Sequence, residues 1–542
     1  MDRDTTIAAK TALPRTGNFW RNEDGTILFF AVCMMLVMFM LAGMGVDIMR
    51  YETVRTELQQ TLDRSTLASA SLTQELNPED VVRDYFEKAG LSEKLTSVQV
   101  TNGVNFRTVR AEARASTHPI FLRLYGGRAV DDIEARGVSV AEQRISNVEI
   151  SLVLDVSGSM AGDKITNLKT SAKEFIDTVL DSDGENKISI SIIPYNGQVN
   201  LQQNMQDIFS NRVDDHNKAN VNCFDLPSSV YGGLGLSITD ALPVTAFVDT
   251  YSSSSYTSSY VTASSTSAIP NPANRWCPDM TNNMVLPPTN NKTKLKTHID
   301  GLVAMGATSI NAGMKWGMAL LDPGSRPIIT DMIGKGATPT YFEGRPYAYR
   351  ADDSMKVVVL MTDGEHFPEE RVNAGYRAGN SKIYRSSGDG NYSRYQDRSG
   401  TSNDYWVPHR TEWRSSPWNS GAGVTEQTWP QMWERQRMTW VAWQLYARAN
   451  GSSSSAFYAA MDQFRSKTAT SDMDNQLQTV CDRARDNNVI VYGIAFQAPA
   501  NGAAQIEKCS STPGHFFNAE GLEIQSAFRA IASNISQLRL TQ

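Results

Sequence analysis

The stretch VEISLVLDVSGSM, residues 148–160, decides the fold. Its first half is an apolar run rich in β-branched residues, which predicts a buried strand. The run ends in a tight turn that carries Asp155, Ser157 and Ser159, and a helical pattern begins at Lys164. Open α/β sheets bind their ligands at the carboxyl ends of strands. Three oxygen side chains at that edge predict a site for a hard divalent cation such as Mg²⁺.

Two later stretches have the same form, an apolar element followed by an oxygen ligand on a turn. The loop MGATSINAG, residues 305–313, presents the Thr308 hydroxyl between glycines and leads into a helical pattern. The apolar KVVVLMTDG, residues 356–364, predicts a second buried strand and ends in Asp363. Asp and Ser also cap strand-to-helix turns, so each motif alone is compatible with a plain cap. Three turns of this form favour one shared metal site.

Together these motifs resemble the von Willebrand factor A (vWA) domain and its metal-ion-dependent adhesion site, the MIDAS. The resemblance runs from about Val148 to Leu540. It implies an α/β fold with a doubly wound, mostly parallel sheet. Two large insertions, at about residues 195–290 and 366–470, interrupt the pattern.

The resemblance also implies how a metal is held. The hydroxyls of Ser157, Ser159 and Thr308 would bind the metal directly, and Asp155 and Asp363 would act largely through bound water. One coordination position would stay open for a carboxylate supplied by a protein partner. The implied metal is Mg²⁺, with Mn²⁺ or Ca²⁺ as alternatives.

Charge and motif content argue against two classes of partner. The chain has 542 residues, a formal net charge of −7 and a pI near 5.6. It has no basic block, so no nucleic-acid partner is expected. It has neither a Gly-x-x-x-x-Gly-Lys loop nor a Gly-x-Gly-x-x-Gly turn after a strand, so no nucleotide site is predicted.

Four of the five cysteines fall into two local pairs. Cys33 lies inside an apolar run. The even number that remains permits two disulfides, Cys223–Cys277 and Cys481–Cys509. Buried free thiols are the alternative that the count leaves open.

The N-terminal part of the chain contains a predicted membrane span. Residues 26–46 form a run of 21 residues without a charge, long enough for a helix to cross a bilayer core. A cleaved signal peptide is the alternative, but the run is too long and no clear cleavage site follows it. Positive charges on both sides give little bias. The paired cysteines favour a cytoplasmic N-terminus and a main body in the periplasm or at the cell surface.

Residues 23–75 resemble the N-terminal segment of TadE/TadG-like proteins of the Tad (Flp) pilus machinery. The resemblance rests on Gly25, on VDIMRY at 46–51 and on LDRSTLA at 62–68. An anchor helix followed by a vWA domain is the TadG-like arrangement. Pilins that prepilin peptidase processes usually carry Glu five residues after the cleaved glycine, where this chain has Phe30. A permanently anchored or minor component is therefore expected.

The chain is predicted to have four parts. They are a disordered tail at 1–24, a transmembrane and pilin-like long helix at 25–76, a small α+β stalk at 77–146 and the vWA domain at 147–542. In the stalk, Asn77 is expected to cap a helix, and alternating apolar residues predict a hairpin followed by a further strand.

The second insertion begins immediately after the Asp363 turn, so its root is expected on the metal-bearing edge. Both insertions are predicted to rise around the metal and narrow access to it. Three tryptophans of the second insertion are predicted partner contacts, namely Trp406, Trp413 and Trp418. Four others have helical spacing and suit a core instead, namely Trp429, Trp433, Trp440 and Trp443.

The leading hypothesis is an envelope-anchored protein that binds its ligand through a metal, in pilus assembly or surface attachment. A purely structural scaffold, in which the metal only orders loops, is the main alternative. A metal-dependent hydrolase is a remote one. Ser157 and Ser159 lack a Gly-x-Ser-x-Gly elbow and have no His nearby in sequence, so an enzyme is not predicted.

Overall fold

The computed structural model describes most of the chain, namely residues 26–71, 76–102, 106–126, 132–144, 147–181, 183, 186–211, 216, 218–251, 259–351 and 354–541. The predicted N-terminal tail at 1–24 lies outside the described residues. The chain divides into two units, residues 1–144 and 145–542. The long helix and the stalk therefore belong to one unit, where the sequence predicts two separate parts.

The first unit combines a long helix with a small sheet. Its elements are α1 Thr26–Ala70, α2 Pro78–Lys88, β1 Leu95–Asn102, β2 Phe106–Thr117, α3 Phe121–Gly126 and β3 Ile133–Arg144. The strands form an antiparallel sheet in the order β1-β2-β3. The Asn77 side chain accepts a hydrogen bond from the Glu79 N–H, which confirms the predicted cap of α2.

Helix α1 has two halves of different character. Its 45 residues span about 68 Å at the standard rise. The first half is apolar, exposed, and long enough to cross a membrane. The second half buries Leu58 and Leu62 against Phe86 of α2 and Val109 of β2. Between the halves, the Asp47 carboxylate accepts three backbone N–H bonds from the first turn of α3.

The second unit is built around a six-stranded mixed sheet. Its strands are β4 Asn147–Asp155, β5 Ile188–Tyr195, β6 Leu286–Thr289, β7 Ser354–Thr362, β8 Glu369–Val372, β9 Asn380–Ser386, β10 Tyr392–Tyr395, β11 Tyr405–Val407, β12 Glu412–Arg414, β13 Val424–Thr428, β14 Arg465–Thr468, β15 Ile490–Phe496 and β16 Phe516–Ala519. The large sheet has the order β16-β15-β7-β4-β5-β6. Neighbouring strands in this sheet run parallel to each other, except that β5 and β6 run antiparallel.

Helices cover both faces of this sheet. The second unit contains α4 Asp163–Asp181, α5 Gln203–Gln206, α6 Lys292–Asp300, α7 Ile310–Ala319, α8 Arg326–Gly334, α9 Trp429–Arg435, α10 Met438–Trp440, α11 Ser454–Phe464, α12 Thr470–Asp486, α13 Ala500–Cys509 and α14 Glu523–Thr541, with a π-helix at Val441–Ala447. Helices α4, α6 and α14 pack on one face, and α7, α12 and α13 pack on the other. The structure is therefore mixed α/β, as predicted.

Helix α7 lies unusually close to the sheet, and this fixes the loop before it. A Cβ at Gly317 would stand 2.4 Å from Val153 Cγ2, and one at Gly313 would stand 2.6 Å from the Tyr195 ring. No side chain fits at either position unless the helix or the facing side chain shifts. The start of α7, which follows Thr308, is thereby held at the ends of β4 and β5.

The two insertions share one hydrophobic core. The first, between β5 and β6, has little regular structure. The second contains a five-stranded antiparallel sheet and the ribbon β8–β14, which joins its two ends. Ala246 and Val248 of the first pack in one cluster with the aromatic residues of the second. The predicted core tryptophans are confirmed as buried, namely Trp429, Trp433, Trp440 and Trp443.

Both predicted disulfides are present. Cys223 and Cys277 join two parts of the first insertion, with Cα atoms 6.0 Å apart. Cys481 and Cys509 join α12 to the end of α13, with Cα atoms 5.1 Å apart. The alternative of free buried thiols at these four positions is therefore excluded, and Cys33 in α1 is free.

Candidate metal centre

Two carboxylates lie at one edge of the large sheet, at the ends of neighbouring strands. Strand β4 ends at Asp155, and β7 ends at Thr362, one residue before Asp363. The two strands are parallel and hydrogen-bonded to each other, so their carboxyl ends meet at the same edge. Asp155 is fully buried and Asp363 is 2% exposed. Open α/β sheets bind their ligands at this edge.

The turn after β4 brings two hydroxyls to these carboxylates. The Ser157 N–H donates to Asp155 Oδ1 at 2.8 Å and holds the turn against the strand end. Ser159 Oγ donates to Asp363 Oδ1 at 2.7 Å. The hydroxyl oxygens of Ser157 and Ser159 are 3.1 Å apart. A chain of hydrogen bonds therefore links the turn after β4 to the carboxylate after β7.

The loop before α7 adds the third hydroxyl. It is held to the turn after β4 by two backbone bonds, Gly158 N–H to the Gly306 carbonyl at 3.0 Å and Met305 N–H to the Val156 carbonyl at 2.8 Å. A Cβ on Gly364, the residue after Asp363, would stand 3.6 Å from Thr308 Oγ1 and 3.8 Å from Ser159 Oγ. All five predicted ligands, namely Asp155, Ser157, Ser159, Thr308 and Asp363, therefore lie around one point.

The carboxylates are only partly neutralised by their surroundings. Burial and the nearby charge of Asp363 raise the pKa of Asp155 to about 6. Asp155 Oδ2 accepts a hydrogen bond from Thr362 Oγ1 at 2.7 Å. Lys164 Nζ lies 2.8 Å from Asp363 Oδ2 and is the cation paired with that carboxylate. Two buried acids with one ammonium leave net negative charge at this edge.

This donor set fits a hard divalent cation. It offers two carboxylates and three hydroxyls, and Mg²⁺ and Ca²⁺ prefer oxygen ligands of this kind. Within the described part of the chain, no group of three or more His, Cys, Asp or Glu side chains could form a metal site. Softer metals that select Cys or His therefore have no alternative cluster there. The hydroxyl oxygens that now share hydrogen bonds keep lone pairs that can turn towards a cation.

A buried histidine fixes the chain just after Asp363. His366 Nε2 accepts the N–H of Asn311, in the first turn of α7, at 3.0 Å. Its Nδ1 therefore carries the proton and donates to Asp474 Oδ1 at 2.7 Å. Because both ring nitrogens are engaged, His366 is not available as a base for Ser157 or Ser159. These two hydrogen bonds instead hold the chain in position where the second insertion begins.

A cavity of about 270 Å³ opens beside the site. The first insertion contributes Arg275 and Trp276, and the second contributes Phe367 and Lys467. The loop before Thr308 contributes Ala307. Both insertions and the loop before α7 therefore line the same cavity, and the narrowing of access to a bound metal by the insertions stays a prediction.

Of the three tryptophans predicted as partner contacts, Trp406 and Trp413 lie on strands β11 and β12 of the second insertion, and Trp418 lies in the connection between β12 and β13. Trp406 is buried, and its indole N–H donates to the Gln444 carbonyl. Trp413 and Trp418 are half-buried and are stacked by arginines. None of the three lines the cavity beside the site. The burial of Trp406 argues for packing, and a contact role for Trp413 and Trp418 stays a prediction.

Sequence reasoning did not identify Lys164, Thr362 or His366 as parts of this site. Thr362 could have been suspected, because it immediately precedes Asp363 on the strand. Lys164 opens a helix, where lysine is usual on a solvated face. His366 is placed by contacts with residues 55 and 108 positions away in sequence. No local pattern reports such distant contacts.

Solved structures similar to this chain include several pilus proteins. The vWF domain of the type V pili tip protein Mfa5 from Porphyromonas gingivalis is 11% identical, with 73% of this chain and 98% of that chain covered and a TM-score of 0.32. The adhesive tip pilin GBS104 from Streptococcus agalactiae is 10% identical, with 72% and 99% covered and a TM-score of 0.28. The pilus adhesin SpaC from Lactobacillus rhamnosus GG is 11% identical, with 81% and 33% covered and a TM-score of 0.28.

Sequence comparison gives one family match. No curated protein matches the chain at a significant level. Residues 25–72 match the Tad family model, described as Flp pilus-assembly TadE/G-like. These residues are the apolar helix α1 and the VDIMRY and LDRSTLA stretches within it. The chain therefore carries a TadE/G-like Flp pilus-assembly segment at its N-terminal end.

Proposed function

We propose that this chain is an envelope-anchored, metal-dependent binding protein of a Tad/Flp-type pilus system. The TadE/G-like segment and the apolar half of α1 support an anchor in the bacterial inner membrane. The binding site is the MIDAS of a vWA-type, doubly wound domain. One observation carries the proposal: two buried carboxylates and three hydroxyls from three separate loops converge at one sheet edge.

Each ligand type has a separate task in this proposal. Mg²⁺, or Mn²⁺ or Ca²⁺, supplies a position that accepts a carboxylate oxygen from a protein partner. The hydroxyls of Ser157, Ser159 and Thr308 hold the cation directly. Asp155 and Asp363 hold it largely through water and balance its charge. The neutral hydroxyls leave the cation electron-poor, which strengthens its attraction for the partner's carboxylate.

A matched pair of variants at Thr308 tests the metal site. Thr308→Val keeps the shape of the side chain and removes the hydroxyl, whereas Thr308→Ser keeps the hydroxyl. Isothermal titration of the full-length protein with Mn²⁺ should show affinity lowered at least about tenfold in Thr308→Val and nearly unchanged in Thr308→Ser. Wild-type affinity in a folded Thr308→Val protein would contradict the assignment.

A structural scaffold is the second candidate, and one observation favours it. Lys164 and the hydrogen bonds of Ser159 already tie Asp363 to the turn after β4 without a metal. In that case the site only joins loops. Capture of envelope proteins by the full-length chain, with Mg²⁺ or with chelator, separates the two candidates. Metal-dependent capture by a protein that stays folded in chelator favours binding, and capture that ignores chelator favours the scaffold.

The orientation of the chain is part of the same proposal. The two disulfides of the second unit support a location outside the reducing cytoplasm. Alkaline phosphatase, which is active only outside the cytoplasm, is fused after Gln542 to test this. Activity is expected. An active cytoplasmic reporter at the same position would overturn the orientation and leave the metal assignment unaffected.

A further inference from the structure

Two walls of the cavity beside the candidate metal centre directly adjoin Thr308, a proposed ligand. Gly306 and Ala307 form one wall, directly before Thr308. Phe367 forms another wall, and its backbone N–H donates to the Thr308 carbonyl at 2.9 Å. A molecule bound at the metal can therefore reach this cavity with its next atoms.

The cavity walls include three aromatic residues, namely Tyr251, Trp276 and Phe367. Trp276 is 4% exposed, and its indole N–H donates to Thr250 Oγ1 at 3.0 Å, which fixes the ring. The Phe367 ring lies 6.2 Å from the Trp276 ring and is 43% exposed. Phe367 lies at the mouth of the cavity, and burial of so exposed a ring under a partner's apolar surface would stabilise the complex.

Several of the polar groups around the cavity already have partners. Arg275 donates to the Phe247 carbonyl at 2.8 Å and to the Glu434 carbonyl at 3.2 Å. Glu370 forms ion pairs with Arg465 and with Lys467. A sugar needs several free donors and acceptors to replace its water. An apolar side chain needs only shape and surface, so the lining favours a side chain over a sugar ring.

The size of the cavity restricts its occupant further. Its volume of about 270 Å³ lies just below the range of about 300–1,000 Å³ that holds a drug-sized ligand. It therefore suits one large side chain of a longer molecule. In an extended peptide, side chains two residues apart point the same way and stand about 7 Å apart. A carboxylate and a nearby aromatic side chain can then be bound together.

Building on the proposed metal-dependent function, we propose that the ligand is a peptide segment of a protein partner with an aromatic residue within two positions of its metal-binding Asp or Glu. The carboxylate binds at the metal, and the aromatic side chain enters the cavity between Trp276 and Phe367. The two insertions thereby add side-chain specificity to a metal that alone would accept many carboxylates.

Fluorescein-labelled peptides test this with the full-length protein and saturating Mg²⁺. The probe is Gly-Asp-Gly-Phe-Gly, and its two controls have Gly in place of Phe or Asn in place of Asp. Fluorescence anisotropy should show the Phe probe binding about tenfold or more tightly than the Gly control, since burial of a large apolar side chain is worth at least that factor. The Asn control and added chelator should both abolish binding.

Variants then locate the aromatic subsite. Phe367→Ala removes a wall, and Ala273→Phe fills the cavity from the first insertion. Each should reduce the preference for Phe over Gly to about twofold or less while Mn²⁺ affinity stays at the wild-type value. Tyr341→Ala is the matched control, because Tyr341 is an aromatic residue that is 53% exposed. Its ring contacts Phe342, which packs on Arg345, and Arg345 donates to the Val148 carbonyl at the start of β4, the end opposite Asp155. This variant should keep the full preference.

The outcomes separate the two proposals. Equal, metal-dependent binding of the Phe and Gly peptides overturns the aromatic subsite and leaves the metal function standing. Binding that ignores both chelator and the Asn replacement overturns the metal function itself. Displacement of the Phe probe by galacturonic acid at a lower concentration than by the unlabelled Phe peptide overturns the peptide assignment in favour of an acidic sugar.

Discussion

Strands β4 and β7 have charged residues at both of their ends, and the charge is balanced differently at the two ends. At their starts, Glu149 of β4 lies directly opposite Lys356 of β7, and the two form an ion pair. At their other ends, Asp155 and Asp363 place two acids side by side. The first end satisfies its charge within the fold. The second end keeps an excess of negative charge that a cation from outside can balance.

Further hydrogen bonds satisfy the polar atoms of the Glu149–Lys356 pair, which we call the neutral end. Lys356 Nζ also donates to the Leu321 carbonyl at 2.9 Å, and Glu149 Oε1 accepts the Tyr347 N–H at 3.1 Å. Both ionic side chains are at most 3% exposed. A buried pair with its remaining hydrogen bonds filled is stable as a pair, yet costly to break on one side. This end therefore serves folding, whereas the proposed function assigns the acidic end to binding.

The largest effect is expected from unpairing the neutral end. Lys356→Met leaves Glu149 buried without its cation and should lower the free energy of unfolding by about 3–5 kcal/mol. Urea denaturation followed by tryptophan fluorescence measures this loss. Adding Glu149→Gln should restore most of it, because no buried carboxylate is then left without its lysine. A double variant as unstable as Lys356→Met would show that packing, and not charge, holds this end together.

The matching change at the acidic end should act on binding and not on folding. Asp155→Asn removes one of two adjacent acids and keeps the side chain's shape, so the metal-free protein should lose little stability. Wild-type protein at a Mg²⁺ concentration of 100 times Kd should gain about 2.7 kcal/mol. The variant should gain none, as measured by urea denaturation with and without Mg²⁺. A full gain in the variant would remove Asp155 from the site.

A change of pH should also distinguish the two ends. The pKa of Asp155 in the metal-free protein is raised to about 6, above its ordinary value of 3.8. A raised carboxyl pKa favours the folded state below the ordinary value, and this stability is lost as pH rises through about 6. Bound metal opposes protonation, so Mn²⁺ affinity should fall about tenfold between pH 7 and pH 5.

Calorimetry at the two pH values measures that loss of affinity. Lys356→Met, which alters only the neutral end, is the control and should show the same loss in its folded fraction. If Mn²⁺ affinity is the same at both pH values in the wild type, the metal does not compete with a proton on Asp155.

Sequence patterns predict the sheet core, and they also pick out the five oxygen side chains that the structure brings together at one edge, whose role as metal ligands stays a prediction. Strands such as β4 and β7 are continuous apolar runs, because both of their faces are buried, and such runs are visible in one dimension. A turn after each run then predicts where polar ends meet. The common core of the two insertions was not predictable, because Ala246 and Val248 have no local pattern that pairs them with tryptophans about 190 residues away.

The same limit applies to the cations around the acids. Whether a lysine neutralises a carboxylate depends on a contact between residues far apart in sequence. In the sequence, Lys356 is visible only as part of an apolar run, and Lys164 only as the start of a helix. In the structure, Lys356 forms an ion pair with Glu149, and Lys164 forms an ion pair with Asp363.

Lys164 supplies the smallest and most diagnostic prediction. Its ammonium lies 2.8 Å from Asp363 Oδ2 and is partly exposed, so it competes with an incoming cation through a screened interaction. Lys164→Met keeps the aliphatic stem and should raise Mn²⁺ affinity about threefold to tenfold, most clearly at low salt. Lys169→Met is the matched control, because Lys169 lies on the same helix and donates to the Asp300 carbonyl, away from the acids. It should leave the affinity unchanged. Weaker Mn²⁺ binding in Lys164→Met alone would mean that the ammonium orders Asp363 for the metal, and that the acidic end, like the neutral one, depends on its own lysine.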